Sequence, residues 1–185
     1  MSMVSLLDAE TAPETVRQFF AHGDPGPIAS SLAHAPDITV QALPFISTTL
    51  GPSKINKRTK EIVILRASAF QKCRYCVNTH SFIARNSGLT RDEVEALQTG
   101  GDAEKAFADE REKALIRWTN AVAAGPQDIP DTLRQEIKKY FTEAEVVELT
   151  LLVGATIMLN RYATALDLPV AATHLEFLKN EGLVF

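Results

Sequence analysis

One stretch constrains this chain more than any other: the apolar segment from Val146 to about Leu166. Thr142-Glu143-Ala144-Glu145 precedes it with the spacing of a capping box, a threonine followed three residues later by a glutamate, and Asp167-Leu168-Pro169 closes it. This segment is the most apolar element of the chain, and with the N-terminal third it offers more hydrophobic surface than one small bundle needs, which points to a homo-oligomer. Its longest nearly uninterrupted apolar run, residues 149–159, is too short to span a bilayer, so no membrane association is expected.

The same punctuation recurs along the chain. Thr90-Arg91-Asp92-Glu93 is a second capping box, opening a short helix that stops before Gly100-Gly101. Thr11, Pro13 and Glu14 start a helical pattern over 11–22 with the same signature, and residues 28–34 add a turn or two. Residues 37–50 read as a helix kinked at Pro44 and ended by Gly51-Pro52. Residues 53–70 begin with a basic polar turn and become strongly apolar; after a break near 71–73 a second helix runs from about Arg74 to Asn86. Residues 102–124 read as one helix with Ala106, Ala114, Leu115, Trp118 and Val122 inward, and 131–140 as a shorter one. Gly154 offers a close backbone approach, and the tail to Phe185 is expected to dock loosely. No period-2 alternation or hairpin signal is present. The expectation is an all-α, compact helical bundle of roughly seven to nine helices in a single domain over 1–185. Within it, 1–52 form an N-terminal helical extension, 53–100 a CxxC core and 101–185 the C-terminal helices.

Composition excludes some functions. A hydrophobic share of 45% and a charged share of 23% are those of an ordinary globular protein. The net charge of −4 and scattered basic residues leave no footprint for nucleic acid. The start, MSMVSLLDAETAPE, lacks the basic region of a secretory signal, which points to the cytoplasm. There, two cysteines at CxxC spacing are more often catalytic or metal-binding than a structural staple.

Chemistry concentrates in EIVILRASAFQKCRYCVNTH, residues 61–80. Cys73 and Cys76 fall on one face at a helix N-terminus, where free backbone N–H groups and the helix dipole stabilise a thiolate; Lys72 and Arg74 add positive charge. His80 lies one turn beyond Cys76 and can exchange a proton with it. Glu61 starts the apolar part of the preceding helix, and antiparallel packing of the two helices lets it meet His80. Ser68, two turns from Glu61 on the same face, and Tyr75 are supporting groups. Zinc held by Cys73, Cys76, His80 and Glu61, or inert packing of the cysteines, are the competing readings. His22, His34 and His174 fall outside the motif, Trp118 belongs to the core, and Asn160 and Arg161 read as helix-pairing residues.

The arrangement Glu61-x11-Cys73-x2-Cys76-x3-His80 on two adjacent helices resembles the alkylhydroperoxidase D-like proteins, the thiol-peroxidase branch of the carboxymuconolactone decarboxylase superfamily. The resemblance is close over about residues 50–100, and the Asn160-Arg161 pair is similar to that of the peroxidase-related members. It implies that Cys76 is the peroxidatic cysteine, Cys73 the resolving one, and Glu61 and His80 the proton relay. The position before the second cysteine, a histidine in the best-studied type, is Tyr75 here. The implied activity is reduction of a hydroperoxide through a redox-active Cys73–Cys76 disulfide, with no bound cofactor. An external dithiol, a lipoyl group or a small redox protein would regenerate the thiols, and the assembly would be a trimer or hexamer. A lactone decarboxylase or a redox-switched sensor or binding protein are the alternatives; decarboxylases of this fold generally lack the CxxC.

Overall fold

A computed structural model describes residues 2–99 and 101–185. Gly100, half of the expected glycine stop, lies outside the described residues. Among those described, the chain is all-α. After a 3₁₀ turn at Glu14–Phe20 come α1 (Pro27–Leu32), α2 (Pro36–Leu50), α3 (Lys57–Phe70), α4 (Arg74–Asn86) and α5 (Arg91–Gln98). A second 3₁₀ turn, Ala103–Ala106, leads to α6 (Glu110–Ala124), α7 (Asp131–Tyr140), α8 (Glu143–Ala165) and α9 (Ala172–Glu181).

The hub is α3. Asn56 caps it by accepting the Thr59 N–H at 2.8 Å, and every residue from Thr59 to Ser68 is buried. Ile62-Val63-Ile64-Leu65 would suit a strand by propensity. Here they form a helix because α4, α5, α6 and α8 surround it, so side chains on all faces are removed from water. Each such aliphatic chain stabilises the fold by about 1.5–3 kcal/mol. Beyond the exposed Lys57, the basic residues of α3 are paired within the protein. Lys60 donates to the carbonyls of Thr49 (3.0 Å) and Gly51 (2.7 Å) and pairs with Glu148 at 2.9 Å, fixing the end of α2. Arg66 donates to Asn120 Oδ1 at 2.6 Å and to the Thr99 carbonyl at 2.5 Å. Arg58 bridges Glu93 and Glu112, tying α3 to α5 and α6.

At 23 residues, α8 is long and apolar enough to cross a bilayer, longer than its apolar run indicated. Leu149, Leu152, Val153, Ala155 and Leu159 of this helix are buried in the protein. Two of the three expected capping boxes are present, at Thr90/Glu93 and Thr142/Glu145.

Four expectations are corrected. Thr11 caps no helix: its N–H and hydroxyl both donate to Asp8 Oδ1 (2.9 and 2.8 Å), and a 3₁₀ turn begins only after Pro13. The helix expected over 102–124 is broken, because Phe107 turns into the core in an extended conformation and Asp109 then caps α6 through the Arg111 N–H at 2.8 Å. Gly154 faces solvent and a Cβ there would meet nothing, so no close approach depends on it. The tail is firmly docked: Leu178 and Leu183 are buried, Arg85 forks onto Glu181 at 2.5 and 3.1 Å, and the Phe185 N–H donates to Asn78 Oδ1 at 2.9 Å.

If α3 is the hub, Leu65→Ala lowers the unfolding free energy by about 2–5 kcal/mol in chemical denaturation. Lys139→Ala, on the exposed face of α7, stays within about 0.5 kcal/mol of wild type.

Candidate active site

The turn between α3 and α4 sets the cysteines. Lys72 takes a left-handed conformation (φ 55°), unusual for a residue with a side chain, and the Cys73 N–H then closes onto the Ser68 carbonyl at 3.1 Å. That closure ends α3 and delivers Cys73 as the N-cap of α4. Its sulfur accepts the Cys76 N–H at 3.4 Å, a role usually taken by an oxygen.

Both cysteines are free thiols and buried. The Cys73 thiol is pushed down to about 6, first because the Cys76 S–H donates to it; the N–H groups of Cys76 and Tyr75 and the Thr164 hydroxyl assist, against the effect of burial. Cys76 is pushed up, by holding that proton for Cys73 and then by burial. The pair thus shares one proton, with the negative charge resting on Cys73. These dominant causes are hydrogen bonds rather than the neighbouring cations expected from sequence. Arg74 is paired with Asp167 at 3.1 Å on the surface.

Antiparallel packing of α3 and α4 brings Glu61 and His80 together: Glu61 Oε2 and His80 Nδ1 are 2.9 Å apart. Glu61 is only 4% exposed. With Nδ1 turned to the carboxylate, Nε2 of the ring is left for another proton exchange.

A cavity of about 100 Å³ lies between α2, α3, α4 and α8. Cys76, His80, Ser68, Tyr75 and Asn160 line it, and Ile46 and Leu50 supply an apolar wall. Cys73 does not line it and is fully buried. Tyr75 has its phenol pushed up to about 12, by burial first and then by the charges of Cys76 and Cys73, so at neutral pH it is a donor and not a base. Ser68 donates to Asn160 Oδ1 at 3.0 Å, joining α3 to α8. Arg161 reaches Gln71 Oε1 at 2.5 Å and braces the turn before the cysteines from outside. Among the described residues, no group of three or more His, Cys, Asp or Glu side chains is arranged to hold a metal ion.

His22 is exposed, and His34 bonds Ser5 at the surface. His174 differs from both. It stacks on Phe82 with centroids 4.1 Å apart, and its imidazole is held below its usual range by burial and then by the charge of His80. It therefore belongs to the surroundings of the site. Its position on α9, remote in sequence, carries no spacing that could reveal this.

The carboxymuconolactone decarboxylase family matches residues 40–121, from α2 into α6. The uncharacterized protein YdfG of Bacillus subtilis is 26% identical over 115 residues, 62% of this chain and 77% of that one. A peroxidase-related protein with an alkylhydroperoxidase AhpD core, from Ralstonia eutropha JMP134, superposes with a TM-score of 0.82 at 18% identity, covering 96% of this chain and 95% of that one. The debrominase Bmp8, solved with 2,3,4-tribromopyrrole, superposes with a TM-score of 0.71 at 21% identity over 98% of this chain and 100% of that one. At these identities the two superpositions establish the shared fold.

The shared proton has a spectroscopic consequence. Ultraviolet thiolate absorbance should appear as pH rises through about 6, the pair being fully protonated below that and singly ionised above it. Cys76→Ala removes the S–H donor, and the midpoint should move up towards the ordinary thiol value of about 8.5. A wild-type midpoint at that ordinary value would contradict the shared-proton description.

Proposed function

We propose that this chain is an alkylhydroperoxidase D-like member of the carboxymuconolactone decarboxylase superfamily, and a thiol-dependent peroxidase that reduces hydroperoxides through Cys76 and Cys73. The observation that carries the reading is the cavity in which Cys76 and His80 meet, with His80 held by the buried Glu61 at 2.9 Å. Access favours Cys76 as the attacking sulfur, since Cys73 does not line the cavity.

The resting pair has its proton on Cys76 and its charge on Cys73, so the first step is transfer of that proton to Cys73. The Cys76 thiolate then attacks the nearer peroxide oxygen. An S–O bond forms, the O–O bond breaks, and the departing alkoxide takes a proton from His80, leaving an alcohol and a Cys76 sulfenic acid. Glu61 balances the charge of His80 while the ring carries that proton. Cys73 next attacks the sulfenic sulfur; its own proton joins the expelled hydroxide as water, and the Cys73–Cys76 disulfide forms. An external dithiol, a lipoyl group or a small redox protein of the cytoplasm reduces it by exchange.

The debrominase of the same fold supplies a second reading, thiol chemistry on a halogenated ring. A redox-switched sensor would use the same disulfide without turnover.

We also infer that the working form is a homo-oligomer, a trimer or hexamer. Val147, Leu151 and Met158 are exposed along one face of α8, and Ile38 and Phe45 are exposed on α2, which packs against α8. Light scattering should give a multiple of the chain mass, and Leu151→Glu should lower it; a stable monomer of wild type at micromolar concentration would contradict the inference.

In a coupled assay with dihydrolipoamide, wild type should consume organic hydroperoxide continuously. Cys76→Ser should lose all turnover, while Cys73→Ser, which loses both the acceptor of the Cys76 proton and the resolving sulfur, should react slowly, once per chain, and leave a sulfenic acid trapped on Cys76. Full activity of Cys76→Ser would overturn the mechanism, and disulfide formation without turnover would favour the sensor.

A further inference from the structure

Asn160 enters the cavity with half of its amide unused. The residue is 1% exposed, its Oδ1 accepts from Ser68 at 3.0 Å, and its Nδ2 is buried with no hydrogen-bond partner. Buried amide groups are almost always paired, because leaving one without a partner forfeits its hydration with nothing in exchange. Here the unpaired atom belongs to a residue that lines the same small cavity as Cys76 and His80. Ser68 sets which way the amide faces: by donating to Oδ1, it leaves the N–H₂ end for whatever occupies the cavity.

We propose that Asn160 is a substrate-binding residue whose Nδ2–H₂ donates to the peroxide oxygen that leaves, with Ser68 as its positioning residue. The proposal rests on the thiol-peroxidase reading. When the Cys76 thiolate attacks one oxygen, negative charge develops on the other as the O–O bond breaks. A fixed donor aimed at that oxygen acts mainly in the transition state, as oxyanion-stabilising donors do. His80 supplies the proton that completes the alcohol; Asn160 holds the oxygen while the proton arrives. The apolar wall at Ile46, Leu50 and Leu159 takes the organic substituent.

The test separates oxygen chemistry from thiol reactivity. Reduced protein is mixed with tert-butyl hydroperoxide in one experiment and with iodoacetamide in another, and modification at Cys76 is followed by mass spectrometry. Alkylation forms an S–C bond and expels iodide, which needs no donor from Asn160. Asn160→Leu should slow the peroxide reaction by about 10- to 100-fold, the effect of losing one hydrogen bond to a charged oxygen, with alkylation unchanged. Ser68→Ala keeps the amide but frees its orientation, and should give a smaller loss of the same kind; it decides the matter if Asn160→Leu does not fold. Equal losses in both reactions would mean that the residues are only structural, and unchanged peroxide rates would overturn the proposal while leaving the peroxidase reading intact. A wild type that alkylates but ignores peroxide would overturn that reading and this proposal with it.

Discussion

A carboxylate buried in α3, the helix at the centre of the bundle, is the constraint on which the rest of the site depends. Glu61 sits in a run where every neighbour from Thr59 to Ser68 is buried, and an isolated charge there would be strongly unfavourable. Its answer is His80, 2.9 Å away on the next helix. That contact is possible only because α3 and α4 turn back on each other around Lys72, and it orients an imidazole towards a cavity that also holds a cysteine. The cost of burial in α3 is thereby coupled to the geometry of the chemistry.

The cysteines follow from the same turn. With Lys72 in a left-handed conformation, Cys73 becomes the first cap of α4 and accepts N–H and S–H donors, while Cys76, one turn on, reaches the cavity. The two sulfurs are consequently unlike. One is fully buried and bears the charge; the other reaches the open volume and bears the proton. A single proton moved between them exchanges their roles, which supports placing attack and resolution on different members of the pair.

Much of this was legible in the residues themselves. The capping boxes at Thr90 and Thr142 announce helix starts through hydrogen bonds local to four residues, and both are present. The all-α class and the α3–break–α4 arrangement follow from apolar patterning of similar range. Thr11 shows the limit of such signals, because Asp8, three residues earlier, competes for the same hydroxyl. Phe107 shows another: the core draws it inward and breaks a helix that local propensity would continue. The Glu61–His80 contact could be anticipated from register alone, whereas the burial of Lys60, the fork of Arg58 and the nearness of His174 depend on helices distant in sequence. The open amide of Asn160 belongs with these, since only its packing against Ser68 leaves Nδ2 unpaired.

The central claim is that Glu61, acting through His80, serves the reaction of Cys76 with peroxide. The most direct measurement is a single-turnover experiment: reduced protein is mixed with a limiting organic hydroperoxide, and disulfide formation is timed by quenched-flow mass spectrometry for wild type and Glu61→Gln. The account predicts that wild type converts peroxide to alcohol as the Cys73–Cys76 disulfide forms, and that Glu61→Gln forms the same disulfide about 10²–10⁴-fold more slowly. A Glu61→Gln protein that matches the wild-type rate would contradict it.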